Sequence, residues 1–146
     1  MATGTIIVDV IDSLYTHLTG DSTFNTALGG SASVKGRLRF SQPERDLTFP
    51  YCFYDIIDDT SELDTFADDS YRMRVQFTVY DQATTTTGAR SVAVIIDKLR
   101  ARLHRASFSV TGHDQMGAQL DIERGPVREE QTWRMDADYF ISGWKT

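Results

Sequence analysis

Between Tyr71 and Tyr80 the chain reads YRMRVQFTVY, in which Tyr71, Met73, Val75, Phe77 and Val79 alternate with Arg72, Arg74, Gln76, Thr78 and Tyr80. A period of two is the signature of a strand, because successive side chains leave it on opposite faces. Such a segment commits the chain to a sheet with one apolar, covered face and one face that is wet or meets a partner. The stretch from Gln131 to Trp144 repeats the pattern. There Trp133, Met135, Ala137, Tyr139 and Ile141 stand opposite Thr132, Arg134, Asp136, Asp138, Phe140 and Ser142.

Two stretches at helical spacing can supply the cover. Ile7, Val10, Ile11, Leu14 and Leu18 recur at three and four, with Thr5 as N-cap and Gly20 as stop. Val92, Ile95, Ile96, Leu99 and Leu103 form the second stripe, after a turn and cap region at Thr84 to Thr87. Its far face carries Arg90, Asp97, Lys98, Arg100, Arg102 and Arg105. After the first helix, Asp21 or Ser22 can cap a short helical piece that buries Phe24 and Leu28 and ends at Gly29-Gly30.

Shorter strands complete the sheet. Val34 to Phe40 reads as an edge strand, and YCFYDII after Pro50 has the mixed periodicity of a central strand buried on both faces. Phe108 and Val110 suggest another, and Met116, Ala118, Leu120 and Ile122 alternate with Gln119, Asp121 and Glu123 until Gly125-Pro126 closes the run. This order predicts an α+β fold: a mixed, mostly antiparallel sheet of four to five strands with two main helices packed on one face. The crossover through the second helix is the expected place for a parallel pair. At 146 residues, positions 1–146 are expected to form a single domain.

The net charge of −6 comes from 15 basic and 21 acidic residues, and it is local. Asp55, Asp58, Asp59, Glu62, Asp64, Asp68 and Asp69 fall in one stretch without Lys or Arg, and the remaining 14 acids face 15 bases. The stretch reads as an acidic hairpin loop at about 58–70. It can be a solvated hairpin that discourages edge pairing, a docking surface for a basic patch, or a weak divalent-cation site. The basic footprint of a nucleic-acid binder is absent, and Arg100, Arg102 and Arg105 suit the negative end of a helix dipole. No apolar run approaches the roughly 18 residues of a membrane span, and Asp9 and Asp12 interrupt the N-terminal run, so no signal peptide is expected. The single cysteine, Cys52, excludes an internal disulfide and is expected to be a small buried hydrophobe.

Enzyme signatures are missing. The chain has no GxxxxGK[ST], GxGxxG, GxSxG, HExxH or EF-hand loop, and His17, His104 and His113 lie in three separate regions. His113-Asp114 could form an acid/base pair. Alternation also puts Asp121 with Glu123, and Asp136 with Asp138, on one side of a strand each. Paired acids can serve glycoside hydrolysis or metal binding, yet these share their faces with arginines and read more simply as cross-strand charge pairs. A hydrolytic or small-ligand-binding domain would need one pocket gathering His113, Asp114, Asp121 and Glu123. No catalytic residue, metal or cofactor is assigned. The outer face of the sheet stands out instead, because arginine and aromatic residues on a polar face are interface composition.

The whole layout resembles the small tail-completion and tail-terminator proteins of long-tailed bacteriophages. The resemblance rests on IIVDVIDSLYTHLTGDSTFNTALGG, the phrase TFPYCFYDI from Thr48 to Ile56, the strand YRMRVQFTVYD, the helix RSVAVIIDKLRARL and a final strand with Trp133 and Tyr139. It implies a non-enzymatic virion protein, assembled in the host cytoplasm, that caps the tail tube at its final length at the head-tail junction. The implied partners are further copies in a hexameric ring, the tail tube protein and a head-completion or connector protein, with DNA passing through the lumen unbound and no membrane involved. A ring needs two different, complementary patches per subunit. Arg72, Arg74, Tyr80, Arg134, Asp136, Asp138 and Phe140 are the expected subunit or partner contacts, and Asp58, Asp59, Glu62, Asp64, Asp68 and Asp69 either line the lumen or dock. Another neck or connector protein of similar fold is the nearest alternative.

Overall fold

The two stretches with the cleanest alternation become neighbours in the middle of one sheet. In the computed structural model, which describes residues 3–20, 22–28, 38–40, 49–59, 70–82, 88–110 and 113–145, the elements are α1 (Thr3–Thr19), α2 (Ser22–Ala27), β1 (Leu38–Phe40), β2 (Tyr51–Asp59), β3 (Ser70–Gln82), α3 (Gly88–Leu103), β4 (Ser107–Val110), β5 (His113–Glu129) and β6 (Thr132–Lys145). The strands lie in the order β1-β2-β3-β6-β5-β4. Among the described residues the sheet therefore has six strands, one more than the four to five expected, and the strand suggested by Phe108 and Val110 pairs at its edge as β4. The fold class is α+β, as the alternation of elements predicts.

All pairings are antiparallel except β1 with β2. The parallel pair thus lies before the second main helix and not across it. The mixed periodicity of β2 also has a different cause from the one expected. Cys52 and Tyr54 are buried on the helix side, whereas Tyr51, Phe53 and Asp55 keep partial exposure on the other. Aromatic residues on both faces imitate a doubly covered strand in sequence.

The core sits between the sheet and the helices. Met73, Val75, Phe77 and Val79 of β3 and Ala137, Tyr139 and Ile141 of β6 are buried against Val92, Ile95, Ile96, Leu99 and Leu103 of α3. Each such side chain contributes about 1.5–3 kcal/mol by leaving water. Val10, Leu14 and Leu18 give α1 its buried stripe, with Phe24 and Leu28 beside it. The Tyr54 hydroxyl donates to the Ile11 carbonyl at 2.9 Å, which ties α1 to the sheet. Burial pushes both the Tyr54 hydroxyl and the Cys52 thiol up, so neither ionises near neutrality. α1 reaches both edge strands, β1 and β4, and α3 covers β3, β5 and β6.

Close approach of α3 to the sheet requires one glycine. A Cβ on Gly88 would stand 2.4 Å from the Gln82 carbonyl oxygen and 2.6 Å from Trp133 Cδ1. The β5–β6 hairpin closes through Glu130 and Gln131 between the paired Glu129 and Thr132, with Glu130 at φ 45°. β5 does not stop at Gly125-Pro126 but passes it as an irregularity, with Gly125 at φ 109°. Positive φ is open to glycine, so the strand bends there and continues.

Candidate functional site: the outer face of the sheet

Register places the outer-face residues beside one another. Arg74 stands across from Phe140, Gln76 from Asp138, Thr78 from Asp136 and Tyr80 from Arg134. This face is not an open, solvated surface at its centre. Thr78 is 2% exposed, Asp138 3% and Asp136 9%, although all three lie on the side away from the helices. Long side chains cover them.

Asp138 is the hub. Arg74 donates to its Oδ2 from Nη2 at 3.0 Å and from Nε at 3.2 Å, and Arg124 donates from Nη2 to Oδ1 at 2.9 Å. Arg74 also pairs with Asp121. Asp136 accepts from Arg134 Nε at 3.0 Å, with Arg124 Nε 3.9 Å away, and Arg134 reaches on to Glu129 at 3.2 Å. Burial alone would raise the Asp138 carboxyl, but hydrogen bonds from Arg124 and Arg74 outweigh it and hold it below its ordinary value. The hydrogen bond to Asp136 in turn raises Arg134.

Aromatic rings frame this lattice. The Arg72 guanidinium lies 4.0 Å from the Phe140 ring centre and that of Arg74 5.0 Å from it, distances at which cation–π attraction operates. Beyond Tyr80, its ring neighbours are Tyr51 at 5.4 Å and Phe53 at 6.0 Å, with Phe49 5.2 Å from Tyr51. The face is thus a charge lattice flanked by an aromatic cluster. Arg72, Arg74, Tyr80, Arg134, Asp136, Asp138 and Phe140 all belong to it, and Tyr51, Phe53 and Arg124 join them.

Sequence reasoning missed those three for identifiable reasons. Tyr51 and Phe53 were hidden by the double-sided aromatic character of β2. Arg124 was hidden by a bulge. The pairing of β5 with β6 slips between Leu120 and Ile122, so Leu120 is opposite Tyr139 on the helix side while Ile122 is opposite Asp138 on the outer side. Asp121 is the extra residue. It bonds Arg74 on the outer face, whereas Glu123 lies opposite Ala137 on the helix side and accepts from Arg100 Nη1 at 2.8 and 2.9 Å.

The expected pairing of Asp121 with Glu123 on one face is therefore wrong, and the pocket that would have gathered them with His113 and Asp114 is not built from them. Ile122 is exposed, not part of a buried row. His104 and His17 serve the fold: His104 Nδ1 accepts from the Leu120 amide at 3.0 Å, and His17 Nε2 lies 3.1 Å from the Arg102 carbonyl oxygen. Among the described residues no three His, Cys, Asp or Glu side chains gather as metal ligands, and no helix is long and apolar enough to cross a membrane.

The acidic stretch divides. Asp58 and Asp59 are strand residues at the end of β2, in register with Arg74 and Met73, and not loop residues as expected. Glu62, Asp64, Asp68 and Asp69 lie outside the described residues.

The molecule is thus defined by a helix-backed α+β sheet presenting an arginine, aspartate and aromatic face. No protein-family model matches the chain, and no curated protein does. Solved structures do share its fold. The chain is similar to a chain of the virion of the native gene transfer agent (GTA) particle, with a TM-score of 0.66 and 14% identity over 92% of this chain and 93% of that one. It is similar to a second solved protein with a TM-score of 0.65 and 13% identity over 100% of this chain and 98% of that one.

Proposed function

We propose that this chain is a structural protein of a phage-like virion, and specifically a tail terminator that caps the finished tail tube and joins it to the head connector as a closed ring. The observation that carries the reading is the fold shared, nearly end to end, with a chain of a gene transfer agent virion. The outer face agrees with it. Arginine and aromatic side chains held by ion pairs form a surface whose ordering entropy is already spent, which favours docking over catalysis. The partners in this reading are further copies of the chain, the tube protein and the connector, with duplex DNA passing through the lumen.

Native mass spectrometry over a concentration series tests it, alone and with isolated tail tubes. A closed assembly at six times 16.5 kDa, or one formed on tube ends, is the expected result. A protein that stays monomeric and ignores tube ends overturns the reading. Assembly on the connector alone would move it to another neck position.

A further inference from the structure

The long strand β5 is only partly covered along its outer edge. β4 pairs with it as far as Gly117, the Ala118 amide and carbonyl bond Ala106 and Arg105, and the Leu120 amide donates to His104. Beyond that point no strand among the described residues lies on this side, and Gly125 to Gln131 are all exposed. An antiparallel ladder aims the backbone groups of alternate residues away from the paired strand, and the β5–β6 register gives Glu123 and Arg128 that orientation. Their amides and carbonyls form an open sheet edge.

Beside this edge, on the helix side, a groove of about 370 Å³ runs between α3 and the β5–β6 pair. Ala93 and Val94 of α3 and Met135 of β6 are its apolar lining among the described residues. The irregularity in β5 helps to open it. Between Arg124 opposite Asp136 and Val127 opposite Arg134, both Gly125 and Pro126 fall against Met135. A Cβ on Gly125 would stand 3.3 Å from Met135 Cα, so a residue without a side chain passes there.

The two ends of the groove differ in charge. At one end Arg100 is bound by both Asp97 and Glu123. At the other, Arg90 lies just after the start of α3, which packs on Trp133, and Arg128 is in register with Trp133. Arg90 and Arg128 are exposed, and neither has an ion pair among the described residues.

We propose that the edge and the groove together receive an extended segment of a partner protein. The segment adds to the sheet beside β5, sets an aliphatic side chain against Ala93, Val94 and Met135, and places a carboxylate at Arg90 and Arg128. Backbone pairing supplies the affinity, and the groove selects the sequence. The site lies apart from the outer-face lattice and stands independently of the ring reading.

Two blocked synthetic peptides, ETVTVTE and KTVTVTK, serve as probes, since each puts its valines and its charged ends on one face of a strand. Nuclear magnetic resonance follows the titration. ETVTVTE should shift the methyl signals of Val94 and Met135 and slow hydrogen exchange at the amides of Glu123 and Arg128. KTVTVTK should bind at least roughly tenfold more weakly, as expected when charge-assisted hydrogen bonds are lost. The variant carrying Arg90→Glu and Arg128→Glu, both at exposed positions, should reverse the preference, and circular dichroism checks that it folds.

No saturable binding of ETVTVTE up to millimolar concentration overturns the proposal. So do equal affinities for the two peptides, or a preference that the double variant leaves unchanged. Methyl shifts without slowed exchange at Glu123 and Arg128 mean that the peptide lies in the groove without joining the sheet, and strand addition falls. If those amides become protected as the protein alone is concentrated, and neither peptide competes, a second copy fills the edge and the proposal falls.

Discussion

Tyr139 and Asp138 are consecutive, both are almost fully buried, and they are buried for opposite reasons. Tyr139 faces α3 among Phe77 and the helix stripe, where apolar contact is enough and direction matters little. Asp138 faces the other way and is covered by the arginines it binds, which must arrive at fixed angles. One face of the sheet is closed by bulk and the other by geometry. A polar face of this kind is an ordered surface and not the solvated side of an ordinary sheet.

The sharpest way to break this comparison is to remove one residue from each side. Phe77→Ala, in the wholly buried face, should cost about 3–5 kcal/mol in chemical denaturation. Asp138→Asn should cost less, about 1–3 kcal/mol, because it weakens charge-assisted bonds from two partly exposed arginines without opening a cavity. Equal costs would make the outer face a second core. The same variant has a pH signature. The folded carboxyl is lowered below 3.8, so its stabilisation is complete above that value and fades as pH falls through the folded-state value. Wild type should lose stability in that acid window, and Asp138→Asn should lose less of it.

Smaller effects refine the picture. Gly88→Ala should cost about 1–3 kcal/mol, since its methyl group meets the Gln82 carbonyl and Trp133 and α3 must lift from the sheet. No loss of thermal stability there would mean that the helix side yields more than its packing suggests. Ile122→Ser, at a 42% exposed outer-face position, should stay within about 0.5 kcal/mol in denaturation, and a larger change would show that the bulge depends on that side chain. Charge reversal of Arg74 is a poor probe of assembly alone, since it would set a carboxylate against Asp138 and Asp121 within the same chain.

What was legible in the sequence follows from the same distinction. Period two in β3 and β6 and the stripes of α1 and α3 report apolar burial directly, so the fold class and the membership of the outer face could be read. The lattice itself could not. Alternation tells which side Asp136 and Asp138 occupy, but not that Arg124 reaches them, because one extra residue at Asp121 reverses the phase of β5 and no local pattern announces it. The β2 aromatic residues failed for a related reason: Tyr54 and Phe53 are alike in composition, yet one is core and the other faces the lattice.

The N-terminal helix has a consequence for the order in which the structure can be made. α1 precedes every other described element, yet the strands it packs against come later, and β4 comes only after β1, β2, β3 and α3. Arg102 Nε donates to the His17 carbonyl at 3.1 Å across a separation of 85 residues. Closing such a span costs about 4 kcal/mol of chain entropy by its logarithmic length dependence, before any contact repays it. α1 therefore leaves the ribosome before the partners that hold it in place, and a nascent chain truncated before β4 would leave the apolar stripe of α1 without one of the elements it packs against.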